Sequence, residues 1–592
     1  MKSHFWPLLV SMSILGLITC ADAAENDASL PYSHKIAGNP AILINQAGYD
    51  RNATKRALLR NMADHISNTA QILNAQTHAV VGTAHIGLSM PDPHSLDRIA
   101  EIRLDTLQQS GHYQLRVGQL VSPVFEVSTR PDHHVMRLLL RSYYLQRCGV
   151  VLHDQESDLQ HGVDHPLDGI LRHQTTFDTA GQPVAATGGW HDAGDYGKYV
   201  APTSVAVAQL LDVYSLAPQQ YPDGALNIPE SHNGQSDILD EANVGLRWLL
   251  TMQRHDGAVW RKLSGTTWPK QLTPDQDQQT RYVYGVSSPE TAKFVAVMAQ
   301  AARVFKTLDP AWSAQLQAAA ERSWAWLKTI EDPQYVEWQK GDDSGSGKYL
   351  YSKTDQELNL LTDRDDRVWA ASELWLLTHQ PDDLNFIRNE RQLISQLSIF
   401  EWKNTMLLGV IHLLRDQDQR LDPELRQELR TNVLQAADLA LKRRQASGYA
   451  LANHRFVWGS NKMTAAEGYL LAQAYQFTAQ PAYREAAQAQ YDFLLGLNPQ
   501  GISFVTGVGE QRVRHVAHLY ARAAQHDIVG LLVGGANGLA QDQIAPKSQA
   551  IYSYIDNDQA YSVNEYAIDY NSALIGLIGL LDATAGIEPV QP

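Results

Sequence analysis

A chain of 592 residues with 44% hydrophobic content has room for one large domain and a smaller one, and it can bury a sizeable core. Its formal net charge of −16 argues against nucleic acid or an anionic membrane as partner, because both are bound through clustered Lys and Arg. Neutral or cationic ligands suit it better.

Lys2 precedes an apolar run from Phe5 to Ile18 and then Ala21-Asp22-Ala23, the small-x-small pattern of a cleaved export signal over residues 1–23. The run is too short to span a membrane and no later uncharged stretch reaches the needed length, so the chain is expected not to be transmembrane. Release into the periplasm or the medium is one outcome. Lipid anchoring through Cys20 is the other, although Thr19 before the cysteine fits that pattern poorly. Beyond the signal only Cys148 remains, so no internal disulfide can form.

A polar linker over 24–38 leads to a segment, 39–130, that reads as a small β-sandwich. Strand-like runs at 42–46, 55–59, 112–117 and 124–127 are separated there by Gly, Pro, Asn and Asp turn clusters. After Arg130-Pro131 the apolar spacing turns helical, beginning with Val135, Leu138, Leu139 and Tyr143, and it stays so to about residue 586. About twelve helices are expected, near 134–147, 202–216, 237–253, 289–306, 311–329, 366–378, 383–396, 403–415, 422–443, 462–477, 481–495 and 567–583. Ser288-Pro289 and Asp422-Pro423 each supply an N-cap followed by proline at the first helical position. Such a series forms a solenoid or a closed toroid of helical hairpins, and the lack of a fixed-period repeat weakens the solenoid. The long connections at 148–199, 254–287, 330–365 and 496–566 hold most of the Trp, His, Tyr and Asp residues. In a toroid they gather at one rim and build a cleft.

The stretch Gly188-Gly189-Trp190-His191-Asp192-Ala193-Gly194-Asp195-Tyr196-Gly197-Lys198-Tyr199 sets two carboxylates three residues apart among four glycines. Backbone freedom there would let Asp192 and Asp195 aim at one water; taken alone, the pattern reads first as a turn whose aspartates cap N–H groups. A second acidic centre runs from Tyr554 to Ser572. By itself Ser562-x-x-Glu565 is a capping box, yet capping does not explain the density of Tyr, Asn and Asp around it.

These two stretches resemble the base and acid motifs of glycoside hydrolase family 9, the inverting cellulase family; in the second, Tyr554, Asp556, Tyr561, Glu565, Ala567, Asn571 and Ser572 fit. Supporting blocks are Asp237-Ile238-Leu239-Asp240-Glu241, Ser288-Pro289-Glu290-Thr291-Ala292, the run from Asp366 to Leu374, Trp458-Gly459-Ser460-Asn461 and Leu495-Gly496-Leu497-Asn498-Pro499. Ile44-Asn45-Gln46-Ala47-Gly48-Tyr49 resembles the immunoglobulin-like module that precedes the catalytic domain in many members. The resemblance implies an N-terminal all-β immunoglobulin-like sandwich, here 39–130, followed by an all-α (α/α)6 barrel, here 131–586. It implies Glu565 as general acid, Asp195 as base and Asp192 holding the same water, with Tyr199 and His191 as donors beside them. Inversion needs the acid and base carboxyls about 6.5–9.5 Å apart so that the water fits between.

Pyranose rings present C–H faces and hydroxyls, which makes Trp190, Trp260, Trp268, Trp458, Tyr199, His518 and Tyr561 the candidate sugar contacts. The implied substrate is β-1,4-glucan or its oligosaccharides, cleaved by a monomer with no cofactor required for the chemistry. An exo-β-glucosaminidase acting on chitosan oligosaccharides is the alternative, and a non-catalytic carbohydrate-binding toroid is the second. The resemblance falters after Glu510. The family continues to Pro-His-His-Arg, where this chain has Val516-Ala517-His518-Leu519, so Arg514, His515, His518 and Arg522 are the candidates to take over. Some members hold zinc through cysteines and a Cys-His pair; here Cys148 survives, Asp164-His165 replaces the pair, and Cys148, His165 and His173 form the candidate site beside the reading of a buried free thiol. Asp342-Asp343-Ser344-Gly345 and Asp363-Arg364-Asp365-Asp366 offer the oxygen ligands calcium takes, or are solvated acidic loops.

Overall fold

The computed structural model describes residues 34–62, 68–339, 362–416 and 420–587. The export signal, Cys20 and the acidic run at 342–345 lie outside these residues. Ten strands come first: β1 (Ala41–Leu43), β2 (Tyr49–Asp50), β3 (Arg56–Arg60), β4 (Thr69–Asn74), β5 (Val80–Ile86), β6 (Met90–Pro91), β7 (Arg98–Arg103), β8 (Gly111–Val117), β9 (Leu120–Val121) and β10 (Phe125–Ser128). They pair in the order β1-β3-β7-β5-β4-β8-β10-β2, with β6 on β7 and β9 on β8. β10 and β2 run parallel, with Val127 opposite Tyr49, while β3 and β7 pair antiparallel from Arg56 opposite Arg103. The strands close over a core of their own that includes Ile44, Leu59, Ile72, Ile102, Leu115 and Val127.

The Ile44–Tyr49 motif faces the larger domain. The Nδ2 of Asn45 and the Nε of Arg56 each donate to Asp492 at 3.0 Å, and Gln46 N donates to Leu495 O at 2.7 Å. Gly496 lies against this seam at φ +133°, and a Cβ there would meet Ile44 O at 2.3 Å. Two of the sequence blocks, one from each domain, therefore exist in part to fit one another.

Fifteen helices are described: α1 (Asp132–Leu145), α2 (Val200–Leu216), α3 (Asp237–Thr251), α4 (Ser288–Phe305), α5 (Pro310–Leu327), α6 (Arg364–Thr378), α7 (Pro381–Asn389), α8 (Arg391–Ile394), α9 (Met406–Arg415), α10 (Pro423–Ala446), α11 (Ser460–Thr478), α12 (Pro481–Leu494), α13 (Leu519–Ala524), α14 (Tyr561–Asn564) and α15 (Ile568–Ala583). Six of them, α2, α4, α6, α9, α11 and α15, make an inner ring, and each packs on an outer partner: α3, α5, α7, α10, α12 and α1 respectively. α2 also packs on α15, which closes the ring and rules out a solenoid. Burial follows position. Every residue from Ile568 to Leu581 of inner α15 is buried, whereas outer α10 buries single residues such as Leu425, Leu429, Val433 and Ala437 at helical spacing. The result is an (α/α)6 barrel.

The expected twelve helices correspond to these six pairs, with two differences. The run expected at 383–396 is split at Glu390 into α7 and the one-turn α8. The cap of α4 is Ser287, whose hydroxyl accepts from Glu290 N, so Ser288 is the first helical residue and Pro289 the second. Asp422 caps α10 as expected, accepting from Leu425 N at 2.9 Å. The aspartates at 363–366 are not a solvated loop. Asp366 is buried against Lys293 and Thr405, Asp363 pairs with Arg367, and Asp365 accepts from Thr405 N.

Because every hairpin returns the chain, the inner helices begin at one rim. The segment Gly188–Tyr199 runs directly into α2 there and Glu565 stands three residues ahead of α15. A four-stranded sheet at this rim, in the order 170–171, 282–283, 262–264 and 198–199, ties two of the long connections together.

Candidate active site

Two backbone segments from opposite ends of the barrel sequence are joined strand to strand. Ala193 bridges Ala567, and Ile568 N donates to Asp192 O at 2.8 Å. Gly194, between the two aspartates, approaches both Ala517 and Glu565: a Cβ on it would lie 2.3 Å from Ala517 O and 3.2 Å from Glu565 Oε1. The N–H of Gly194 donates to the Glu565 carboxyl. A side chain at 194 would push the acid away.

The fold also settles what Glu565 is not. Ser562 lies inside α14, where its N–H and hydroxyl both reach Asp542, and Glu565 has extended backbone beyond that helix. No capping box forms. The aromatic and amide residues around it are scaffold: Tyr554 donates to Asn564 Oδ1 at 2.6 Å, and Asp556 accepts from the N–H groups of Arg514 and His515 at 3.0 and 2.9 Å.

Electrostatics separate the three carboxyls. Burial, and then the charge of Asp195, push Glu565 up to about 8. Burial raises Asp195 too, but the Tyr199 hydroxyl donates to its Oδ2 at 3.1 Å and the Gly197 N–H also supports its ionised form. Asp192 is pushed well above the carboxylate range by burial and by Asp569, Asp195 and Glu565. The Oδ1 atoms of Asp192 and Asp195 are both buried without a protein partner. The arrangement favours a proton on Glu565 and, through Tyr199 and the Gly197 N–H, the charged form of Asp195, with one carboxyl oxygen each of Asp192 and Asp195 left to receive a water.

The expected sugar contacts divide. Trp190 is core: its ring lies 4.9 Å from Tyr143 and its Nε1 donates to Glu241 at 3.2 Å. Trp260 is buried too, donating to Asp178 at 3.1 Å. Tyr199 orients Asp195. His518 is buried, accepting Tyr520 N on Nδ1 at 3.2 Å and facing Gln146 Oε1 through Nε2 at 3.1 Å, so it is not available to a sugar. Burial, with His191 and Arg522, lowers it to about 3 and keeps it neutral. Trp458 and Tyr561 pair with ring centroids 5.6 Å apart, Tyr561 being 44% exposed, and Trp268 is 61% exposed on a separate loop.

The altered loop has a structural role. Ala517 N donates to Asn564 O at 2.9 Å and Leu519 N to Gly194 O at 2.8 Å, so its backbone spans the two carboxylate segments.

Of the expected metal ligands, Cys148 and His165 come together, but with Asp164 and His191. His173 stands apart against Tyr284. The four donor atoms lie within 4.8 Å of one another: Cys148 Sγ is 3.8 Å from His165 Nδ1, and Asp164 Oδ2 is 3.1 Å from His165 Nδ1 and 3.0 Å from His191 Nε2. One sulfur, one oxygen and two nitrogens at such spacings are close to the edges of a tetrahedron around zinc. Burial alone would raise the Cys148 thiol, but Lys198, His191 and His165 outweigh it and bring it to about 7. In the sequence His191 stands only as a donor beside the base, and Asp164 only as the residue that replaces a cysteine. The signal that identifies both is that a carboxylate can stand in for a thiolate.

The Glycosyl hydrolase family 9 profile matches residues 133–578, and the Cellulase N-terminal ig-like domain profile matches residues 37–122. The chain belongs to glycosyl hydrolase family 9. It is thus an O-glycosyl hydrolase with a barrel and an immunoglobulin-like domain of the family's kind. The xyloglucan-specific endo-β-1,4-glucanase BoGH9A of Bacteroides ovatus is 29% identical over 581 residues, covering 93% of this chain and 95% of that protein. A metagenome-derived family 9 endoglucanase superposes with a TM-score of 0.86 at 37% identity, covering 92% of this chain and 99% of that one. A Zn-binding triple mutant of the family 9 endoglucanase J30 superposes at 0.83 with 31% identity, covering 90% and 99%. Family 9 chemistry runs on carboxyl groups and needs no cofactor. Among the described residues no helix is long and apolar enough to cross a membrane.

Proposed function

We propose that this family 9 enzyme cleaves β-1,4-glucan chains or their oligosaccharides by single displacement with inversion. The observation that carries the reading is the Gly194 contact, which sets the buried Glu565 carboxyl against the segment that presents Asp192 and Asp195. Glu565 gives its proton to the glycosidic oxygen as the bond to the anomeric carbon breaks. Water held by the free oxygens of Asp192 and Asp195 attacks that carbon from the opposite face, and Asp195 takes its proton. Tyr199 keeps Asp195 ionised and aimed. The Trp458–Tyr561 pair and the exposed Trp268 offer faces to sugar rings. The names of the relatives above support a glucan over a glucosamine polymer. A product profile by mass on cello-, xyloglucan and chitosan oligomers tests this: cellodextrin cleavage is expected, and glucosamine release with cellodextrins left intact would defeat it.

We further propose that Cys148, Asp164, His165 and His191 hold one structural zinc. When bound, the metal would link the 148–191 connection to itself and leave the chemistry to the carboxyls. Zinc analysis of purified enzyme should give about one equivalent, a chelator should lower Tm, and Asp164→Ala should lose both the metal and the chelator effect. A metal-free protein whose Tm ignores zinc and chelator would refute the site. The export signal read in residues 1–23 supports an exported enzyme, and the closed barrel supports one that works as a monomer.

A further inference from the structure

The turn that presents Asp192 and Asp195 is held from outside at four successive residues. His191 N donates to Gln146 O, Ile568 N to Asp192 O and Leu519 N to Gly194 O, each at 2.8 Å. Those three links run backbone to backbone. The fourth is made by a side chain: Gln146, at the C-cap of α1, donates from Nε2 to Ala193 O at 3.3 Å. Its Oε1 faces His518 Nε2 at 3.1 Å, and His518, the N-cap of α13, accepts from Tyr520 N on Nδ1 at 3.2 Å. Because Nδ1 is an acceptor, the ring proton lies on Nε2 and is donated to Gln146. One tautomer and one amide orientation therefore satisfy the whole chain, with every donor directed from Tyr520 N through His518 and Gln146 to the carbonyl between Asp192 and Gly194. Gln146 and His518 are each 1% exposed, so these bonds form in a low-dielectric interior where they reinforce one another.

Resting on the glycosidase reading above, we propose that Gln146 and His518 are positioning residues, a brace that sets the Asp192–Asp195 turn where attack of water on the anomeric carbon requires it. Both are buried, so they act through the turn and not on the sugar. His518 belongs to the Val516–Leu519 block, where the sequence departs from the family pattern, and the brace gives that block a part in the reaction. A small displacement of the two carboxyls slows the step they perform, while proton donation by Glu565 is left as it was.

The test measures kcat and KM per folded enzyme, well below each Tm, for wild type, Gln146→Met, His518→Leu, His518→Gln and the double variant Gln146→Met/His518→Leu. The substrates are cellopentaose and 2,4-dinitrophenyl β-cellobioside. Gln146→Met and His518→Leu are each expected to lose about ten- to hundredfold in kcat on both substrates, with KM within about twofold of wild type. His518→Gln, whose amide can still donate to Gln146 Oε1, should recover most of that loss. The double variant should lie within about twofold of the poorer single variant, because both substitutions break one chain. A loss on cellopentaose alone, losses that multiply in the double variant, or a lowered Tm with kcat unchanged would overturn the brace. A wild type inert on both substrates would instead overturn the glycosidase reading on which the brace rests.

Discussion

Glu565→Gln is expected to lower kcat on cellopentaose by about a thousandfold or more, because a sugar alkoxide leaves poorly without a proton. The amide is nearly the same size and still accepts from Gly194 N–H, so folding is not at issue. On 2,4-dinitrophenyl β-cellobioside, whose leaving group needs no proton, the same variant should keep most of its rate. The pH dependence carries a second signature. Glu565 acts only while protonated and its carboxyl is held at about 8, so kcat/KM of the wild type should fall as pH rises through about 8. In Glu565→Gln on the aryl substrate that limb should vanish. A loss below about tenfold on cellopentaose, or an alkaline limb that survives the substitution, would remove Glu565 from the acid role.

Asp195→Asn should cost about 10² to 10⁴ on both substrates, since activation of the attacking water does not depend on the leaving group. This contrast separates base from acid without a bound ligand. Burial raises Asp195 above its ordinary value while Tyr199 and the Gly197 N–H oppose the shift, so the acid limb of the wild-type profile should report its ionisation: activity is lost as pH falls and Asp195 takes up a proton. Tyr199→Phe removes that opposing donor and should move the limb to higher pH. Equal rates for Asp195→Asn and wild type on the aryl substrate would show that another group activates the water.

Much of this architecture is legible in the sequence because it rests on short-range signals. Helical spacing with proline and aspartate starts locates the six hairpins, and the pairing of Asp192 and Asp195 with Glu565 follows from two motifs. Strands β4, β5 and β7 are not legible in the same way, since runs such as Thr69-Ala70-Gln71-Ile72-Leu73-Asn74 mix polar and apolar residues without clean alternation. What a side chain touches depends on the fold. Trp190 and Trp260 sit in the long connections yet serve as core, because Glu241 and Asp178 satisfy their indole N–H groups from elsewhere in the chain. His518 belongs to the departing Val516–Leu519 block and is equally enclosed, since that loop threads between the two carboxylate segments. His191 joins Cys148, Asp164 and His165 across the turn that Gly188 and Gly189 make at φ +96° and +75°, where Cys148 N donates to Gly189 O at 2.9 Å.

The anomeric form of the first product tests the central claim most directly. Proton NMR of cellopentaose during the first minutes of hydrolysis should show the α-anomer formed at the newly released reducing end, ahead of mutarotation, as single displacement by a water on Asp192 and Asp195 requires. Initial formation of the β-anomer would mean retention through a covalent intermediate and would contradict the assignment of Asp195 as a base acting on water.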